Sequence, residues 1–276
     1  MKWLCFILSH SIFIAICAAS LSFQTVQLLE IKPGIYTHIF IFFATVCSYN
    51  FYGLLSKYYS LNFSTISFLR KEPVSIVLLF FSLAGLVFSF LHLQLSVFII
   101  VPAIVLTILY SIPLLPFNFL KFTRKAGVLK TTVLALTWTY VTAFIPIQKP
   151  ILLLNHADVF ILTRRFLFML MLCIIFDNRD IVIDKVRGLH SLATDIRPKT
   201  LHYIIIIIFS ILFSSNFLCT LYGISIKQSV ALQISTVALL ITYYLSTKKK
   251  RDYFFYYFIV DGLMLFSALT TYIASI

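Results

Sequence analysis

The chain has 276 residues, of which 61% are hydrophobic and only 11% are charged, and its mean hydropathy is +1.01. In soluble domains about a quarter of the residues are charged. This composition therefore excludes an ordinary water-soluble fold and indicates a protein embedded in lipid. The formal net charge of +13 does not indicate nucleic acid as a partner, because the basic residues punctuate apolar runs and form no basic groove with interleaved aromatics.

Apolar runs of roughly 17 to 25 residues are long enough to cross a bilayer as helices, and the chain contains nine of them. Because backbone groups must be paired in hydrocarbon, we expect one all-α polytopic membrane domain covering residues 1–276. The third and fourth spans are separated by so little polar sequence that we predict a tight antiparallel hairpin. The nine spans lie near 4–29, 35–56, 74–93, 95–115, 130–147, 157–176, 202–223, 229–246 and 253–275.

The N-terminal segment imitates a secretory leader, since Met1-Lys2 is followed by an apolar run and by small residues from Cys17 to Ser20. Apolar character continues to Leu29, which favours a retained first helix. All five cysteines lie in apolar stretches without a CxxC pair. We therefore expect them to be buried small hydrophobic residues and expect neither a disulfide framework nor a zinc site.

The distribution of lysine and arginine predicts the orientation. On a nine-span topology, 17 of the 22 basic residues fall on the side of the N-terminus. The positive-inside rule then places the N-terminus and the loop after the sixth span in the cytoplasm, and we expect a bacterial inner-membrane protein. The basic run Lys248 to Arg251 fits this topology and also suits contact with anionic lipid.

Three carboxylates follow the sixth apolar run. Asp177, Asp180 and Asp184 have the spacing i, i+3, i+7, which places them within roughly 60° of one another on a helix. Like charges this close repel, so a cation is expected among them. Mg²⁺ prefers oxygen ligands and shares them with phosphate, which favours a magnesium–diphosphate site. The alternative is a helix end whose acids pair with nearby Arg179, Lys185 and Arg187.

One further acid lies inside an apolar run. Asp261 is about eight residues into the last span, where an acid is by default functional or paired. Arg164 and Arg165 lie in the first part of the sixth span. If the depths match, one of the two is the partner of Asp261 in a polar clamp between helices.

The motif Asp177-x-x-Asp180-x-x-x-Asp184-Lys185-x-x-Gly188, followed by Ser191-Leu192, resembles the second aspartate-rich motif of the UbiA superfamily of intramembrane prenyltransferases. Leu109-Tyr110-Ser111-x-Pro113, at the end of the fourth span, is similar to another family segment. The resemblance implies a nine-helix bundle with a central cavity open to the cytoplasm. It also implies transfer of an isoprenyl group from a prenyl diphosphate to an aromatic or lipid acceptor.

The resemblance implies roles for individual residues as well. Asp177, Asp180 and Asp184 would be catalytic and hold Mg²⁺, with one ion rather than two. The residues that would contact the diphosphate are Asn50, Tyr110, Lys121, Arg124, Lys125, Lys185 and Arg187.

The other half of the expected site departs from the family pattern. The first aspartate-rich motif normally follows an asparagine, which is present as Asn50, but Phe51, Leu54 and Tyr58 occupy its three acid positions. Aromatic rings and an isobutyl group cannot replace those carboxylates. Three functions stay open: a divergent prenyltransferase, a UbiA-type terpene cyclase, and a non-catalytic membrane protein that binds isoprenoid lipid.

Overall fold

The structure is a computed structural model that describes residues 2–61, 72–93, 96–111, 127–188, 190–249 and 251–276. Within these ranges the side chains of residues 2, 56–61, 111 and 187 lie outside the description. The described part of the chain is helical and contains no strand. Its helices are α1 Lys2–Ser9, α2 Ile12–Leu28, α3 Ile35–Leu61, α4 Pro73–His92, α5 Val97–Ser111, α6 Gly127–Ile147, α7 His156–Arg187, α8 Leu192–Asp195, α9 Pro198–Leu218, α10 Ile226–Lys248 and α11 Phe255–Ile273.

Each predicted apolar run coincides with helix in the described ranges. Seven helices are long and apolar enough to cross a membrane, namely α3, α4, α6, α7, α9, α10 and α11. The first two helices together would make an eighth span, and α5 is a shorter apolar helix. The protein is therefore a multi-pass helical membrane protein, as its composition predicts.

The first span is not the single helix expected over 4–29. The axes of α1 and α2 are bent by 69° at a short break. At the break Ser11 has a φ of 62°, in the left-handed region that non-glycine residues rarely adopt. The polar residues Ser9, His10 and Ser11 interrupt the apolar run at this point, but no glycine or proline marks a break there.

The third and fourth spans do not pair as predicted. Among the described residues, α4 packs mainly along α3, and α5 packs mainly along α6. Gly85 of α4 lies directly against the ring of Phe43 in α3, where an added Cβ would come within 2.7 Å of ring carbons. A short connection fixes only the adjoining ends of two helices. Here the close contact at Gly85 lets α4 pack along α3 instead of α5.

Helix α7 forms the centre of the bundle, and its middle carries the most deeply buried side chains, including Met171 and Ile174. Helices α6, α8, α9 and α10 pack around it, while α2 joins α3 to α11. The helix continues past the predicted end of the sixth span at residue 176 as far as Arg187. The acid triplet therefore stands on an unbroken helix, as its spacing requires.

The cysteines differ in exposure. Cys17, Cys173 and Cys219 are buried, and Cys47 is partly buried. Cys5 is exposed on α1, so the prediction of burial is wrong for this residue, because the break turns α1 away from the core.

Candidate functional site

A cavity of about 710 Å³ lies where the α1–α2 break meets α3, α6, α7 and α11. Its wall contains residues of the first-motif segment on α3 and the acid triplet on α7. The predicted residues that line it are Asn50, Tyr110, Asp177, Asp180 and Asp184. Sequence spacing alone could not establish that Asn50, on α3, faces the same space as the acid triplet.

Asp177 is buried on the cavity wall and is held by a neighbouring helix. Its Oδ2 accepts a hydrogen bond from Thr131 Oγ1 of α6 at 2.5 Å. The same hydroxyl oxygen accepts from the backbone N–H of Leu192, at the start of α8, at 3.1 Å. Thr131 thus fixes the first acid of the triplet and the segment that follows the motif.

The tail of the motif has a structural explanation. Gly188 has a φ of 63° and ends α7 as its C-cap, a conformation that glycine adopts without strain. Ser191 then starts α8, and its backbone N–H donates to Thr194 Oγ1 at 2.7 Å. The glycine and the Ser-Leu pair therefore return the chain to α6 beside Asp177.

Asp184, the last acid of the triplet, is also buried. Its Oδ2 lies 3.5 Å from Lys130 Nζ at the beginning of α6. Lys130 lines the cavity with it. Nothing in the sequence shows that the side chain of Lys130 reaches across to α7.

Both carboxylate oxygens of Asp180 accept hydrogen bonds, whereas Asp177 and Asp184 each use one. Arg179 forms a two-pronged pair with it, from Nε to Oδ1 and from Nη2 to Oδ2, both at 2.7 Å. The guanidinium carbon also lies 4.9 to 5.1 Å from the ring centroids of Phe176, Tyr256 and Tyr257. Both oxygens of Asp180 are thereby occupied, and Arg179 is fixed between aromatic faces. The helix-end ion pair considered for the triplet holds here for Arg179.

Asn50 also has a structural role. Its Nδ2 donates to the carbonyl of His10 at 3.0 Å and to that of Val46 at 2.9 Å. The first bond ties α3 to the break between α1 and α2. The asparagine shared with the first motif therefore supports the cavity wall in addition to facing the cavity.

The positions that normally carry the first-motif acids do not all face the cavity. Leu54 is buried and lines the cavity, whereas Phe51 is exposed and is not part of its wall. The side chain of Tyr58 lies outside the described residues. At this wall the cavity presents apolar and aromatic groups, including Tyr49 and Trp138.

Several predicted diphosphate contacts are not placed at the cavity. Lys185 is exposed and does not belong to the described wall, because it lies on a different face of α7 from Asp184. Lys121, Arg124 and Lys125 lie outside the described residues, as does the side chain of Arg187. The described cations at the cavity are instead Lys130, Arg179 and Arg251.

Asp261 and the arginine pair are not partners. Asp261 is buried and lines the large cavity. Arg164 and Arg165 line a separate small pocket and bond to neutral groups on α9 and α2. The predicted ion pair is wrong, because residue counting estimates depth along a span and says nothing of the direction in which a side chain points.

Among the described residues, no group of three or more histidine, cysteine, aspartate or glutamate side chains is arranged to hold a metal ion. Asp180 is occupied by Arg179, which leaves Asp177 and Asp184 as the acids nearest to availability. Mg²⁺ is commonly bound by one or two carboxylates together with substrate phosphates and water. The donor set therefore fits one ion that arrives with a diphosphate, and does not fit a preformed cage.

No protein-family model matches the chain, and no curated protein matches it. Its fold is similar to that of a solved digeranylgeranylglyceryl phosphate synthase, with a TM-score of 0.55 and 14% sequence identity. The likeness covers 97% of this chain and 95% of that chain. That synthase is a UbiA-superfamily prenyltransferase. At this identity the likeness shows the fold alone, an all-helical membrane fold similar to that of the synthase.

Proposed function

We propose that the protein is a divergent UbiA-like prenyltransferase that moves an isoprenyl group from a prenyl diphosphate to a hydrophobic acceptor within the membrane. The observation that carries the proposal is the single cavity in which acids of α7, cations of α6 and α7, and aromatic side chains meet. The similarity in fold to a membrane prenyltransferase supports the same class of reaction.

The chemistry requires two unlike environments side by side. The bond between the allylic carbon and the diphosphate oxygen breaks, and its electron pair leaves with the diphosphate. Lys130 and Arg179 line the cavity and would stabilise that negative charge. Tyr49 and Trp138 would offer ring faces to the positive charge left on the allyl group, and the apolar wall would exclude water. The acceptor then forms the new bond and loses a proton.

Asp177 and Asp184 are the residues that would hold Mg²⁺, and Asp180 would join them only by exchanging Arg179 for the ion. When bound, the ion would neutralise the leaving diphosphate. Tyr110 and Asn50 remain candidate contacts of the diphosphate, together with Lys121, Arg124, Lys125, Lys185 and Arg187.

The proposal includes an arrangement in the membrane. It takes the bent pair α1–α2 and the shorter α5 as spans, which gives nine crossings with the N-terminus in the cytoplasm. The cavity would then open to the cytoplasm, and its diphosphate end would lie at the acid triplet.

The second candidate is a non-catalytic membrane protein that binds isoprenoid lipid in the same cavity. It is favoured by the occupied oxygens of Asp180 and by the apolar residue Leu54 at a first-motif acid position. The two candidates differ in whether diphosphate binding depends on Mg²⁺ and leads to transfer.

The test is a comparison of Asp177→Asn and Asp184→Asn with Asp158→Asn, which makes the same change near the opposite end of α7. Asp158 is buried at the helix start and pairs with Lys149. We expect Mg²⁺-dependent thermal stabilisation by geranylgeranyl or farnesyl diphosphate in the unaltered protein and in Asp158→Asn. Both triplet variants should lose it and should lose transfer of radiolabelled prenyl groups, while remaining inserted.

Three results would change the assignment. Transfer at unaltered rates in Asp177→Asn and Asp184→Asn would remove the catalytic role of these acids. Absence of stabilisation at every Mg²⁺ concentration would support the lipid-binding alternative. A prenyl hydrocarbon formed without any acceptor would indicate a terpene cyclase.

A further inference from the structure

Two adjacent arginines are buried in the part of the bundle remote from the acid triplet. Arg164 and Arg165 of α7 are 7% and 6% exposed. Arg165 precedes Asp177 by twelve residues, which corresponds to roughly 18 Å along the helix. Neither arginine belongs to the described wall of the large cavity, so their role is separate from the proposed prenyl transfer.

Arg164 is bonded only to neutral groups of α9 among the described residues. Its Nη1 donates to the carbonyl of Leu212 at 3.2 Å and to Ser215 Oγ. Its Nη2 donates to Asn216 Oδ1 at 2.7 Å. These hydrogen bonds satisfy guanidinium donors of Arg164 but do not neutralise its positive charge.

Arg165 turns to α2 and is also bonded to neutral groups. Its Nη2 donates to the carbonyl of Leu21 at 3.0 Å, to Gln24 Oε1 at 2.9 Å and to Thr25 Oγ1 at 3.2 Å. Its Nε is buried and has no hydrogen-bond partner. One guanidinium donor therefore stands unused in the interior.

The charge of the pair is not cancelled by the described part of the protein. The ion pairs described there join Lys130 to Asp184, Lys149 to Asp158, Arg179 to Asp180 and His190 to Asp195, and none includes Arg164 or Arg165. Two like charges side by side in a low-dielectric interior are costly without a counter-charge. A bound anion would supply the counter-charge that the neutral carbonyls and hydroxyls cannot.

A pocket of about 30 Å³ lies beside the two arginines, between α2, α7, α9, α10 and α11. A cavity needs only about 10–15 Å³ to accept one water-sized particle, so this one has room for a small ion and none for a phosphate ester or carboxylic acid. The polar residues of its wall are Gln24, Arg164, Arg165, Ser235, Thr236 and Ser267.

The other polar groups of this wall donate their hydrogen bonds to protein acceptors. Ser235 and Thr236 donate to carbonyls of their own helix, and Ser267 donates to Ser235. Gln24 Nε2 donates to Ser267 and Thr271 of α11. Arg165 Nε–H is a buried donor of this wall that has no hydrogen-bond partner among the described residues, so an occupant has to accept hydrogen bonds.

We propose that this pocket binds a monovalent halide, chloride under ordinary conditions, as a structural counter-ion for Arg164 and Arg165. The ion lies where five helices meet. Its binding is therefore coupled to the packing of the bundle, and a ligand that binds only the folded state raises the unfolding temperature.

The test uses the full chain purified in detergent in potassium gluconate, with chloride or bromide replacing gluconate at constant ionic strength. We expect the unfolding temperature to rise and saturate with chloride and with bromide, and not with sulfate, which is too large for the pocket. Arg165→Gln should abolish the halide response. Lys149→Gln, which removes a cation paired with Asp158 outside the pocket, should retain it.

A second measurement covers the case in which Arg165→Gln does not fold. The chlorine-35 NMR line of chloride should broaden in the presence of the unaltered protein and sharpen when bromide is added. A line that the protein does not broaden, or an equal rise in unfolding temperature with sulfate, would overturn the proposal. An unfolding temperature independent of halide would mean that the pocket holds only water.

Discussion

At the scale of single residues, Thr131 connects the acid triplet to the rest of the bundle. Its hydroxyl donates to Asp177 and accepts from the backbone of Leu192, so one side chain joins α6, α7 and α8. Nothing in the sequence marks this threonine, because its partners are 46 and 61 positions away. Its importance follows from the cost of leaving a buried carboxylate and a buried N–H without partners.

We predict that Thr131→Val destabilises the protein by roughly 1–3 kcal/mol, since the shape is kept while both bonds are lost. The matched control is Thr132→Val, in which the lost hydroxyl is exposed and bonds only to Val128 of its own helix. Thermal unfolding in the same detergent measures both variants. Equal losses of stability in the two variants would show that the bonds of Thr131 to Asp177 and Leu192 do not stabilise the bundle.

Arg179 leads to a prediction about the kind of cation the site requires. Arg179→Lys keeps the charge but loses the two-pronged pair with Asp180 and the stacking on three rings. We expect a loss of roughly 1–2 kcal/mol in stability. Arg251→Lys is the control, because Arg251 faces one ring and one carbonyl and should lose less. Indistinguishable unfolding of the two variants would contradict this.

At the scale of elements, the break between α1 and α2 determines the shape of the cavity, because Ser11 at the break lines its wall and Asn50 bonds to the neighbouring carbonyl of His10. A left-handed residue other than glycine costs roughly 1–2 kcal/mol. The break is therefore maintained by its surroundings, and the site depends on a strained position.

This strain can be tested through glycine. We expect Ser11→Gly to stabilise the protein by up to about 1 kcal/mol and Ser11→Val to destabilise it by about the same amount or more. Ser20, inside α2, provides the opposite case, since glycine is less favourable than serine in a helix interior by roughly 0.5 kcal/mol. Thermal unfolding of Ser11→Gly and Ser20→Gly should therefore shift in opposite directions, and shifts of the same sign would mean that Ser11 is not strained.

The same scale shows what the sequence could and could not predict. Span positions were predictable within a few residues because hydropathy decides which segments enter lipid. The extension of α7 to Arg187 was missed in the span boundaries, since charged residues end an apolar run without ending a helix. The triplet spacing predicts that Asp177, Asp180 and Asp184 share one face, and all three line the cavity. Lys130 could not be found, because its contact with Asp184 depends on how α6 packs against α7.

At the scale of the whole molecule, α7 carries two polar centres of opposite character. Near its end the acids of the triplet meet cations inside a large cavity, whereas Arg164 and Arg165 stand among neutral groups beside a small pocket. A substitution in one centre should leave ligand binding in the other intact, because the two share no described wall residue. The halide response and the diphosphate response are therefore separable.

The number of spans determines where the C-terminus lies, and this gives the last prediction. Seven long helices, one bent pair and the shorter α5 make nine crossings only if the bent pair and α5 both traverse the membrane. With the N-terminus in the cytoplasm, nine crossings place Ile276 on the opposite side. We expect alkaline phosphatase fused after Ile276 to be active and a green fluorescent protein fusion there to be dark. Fusions after Lys249 should show the reverse, and matching results at both points would rule out a crossing by α11.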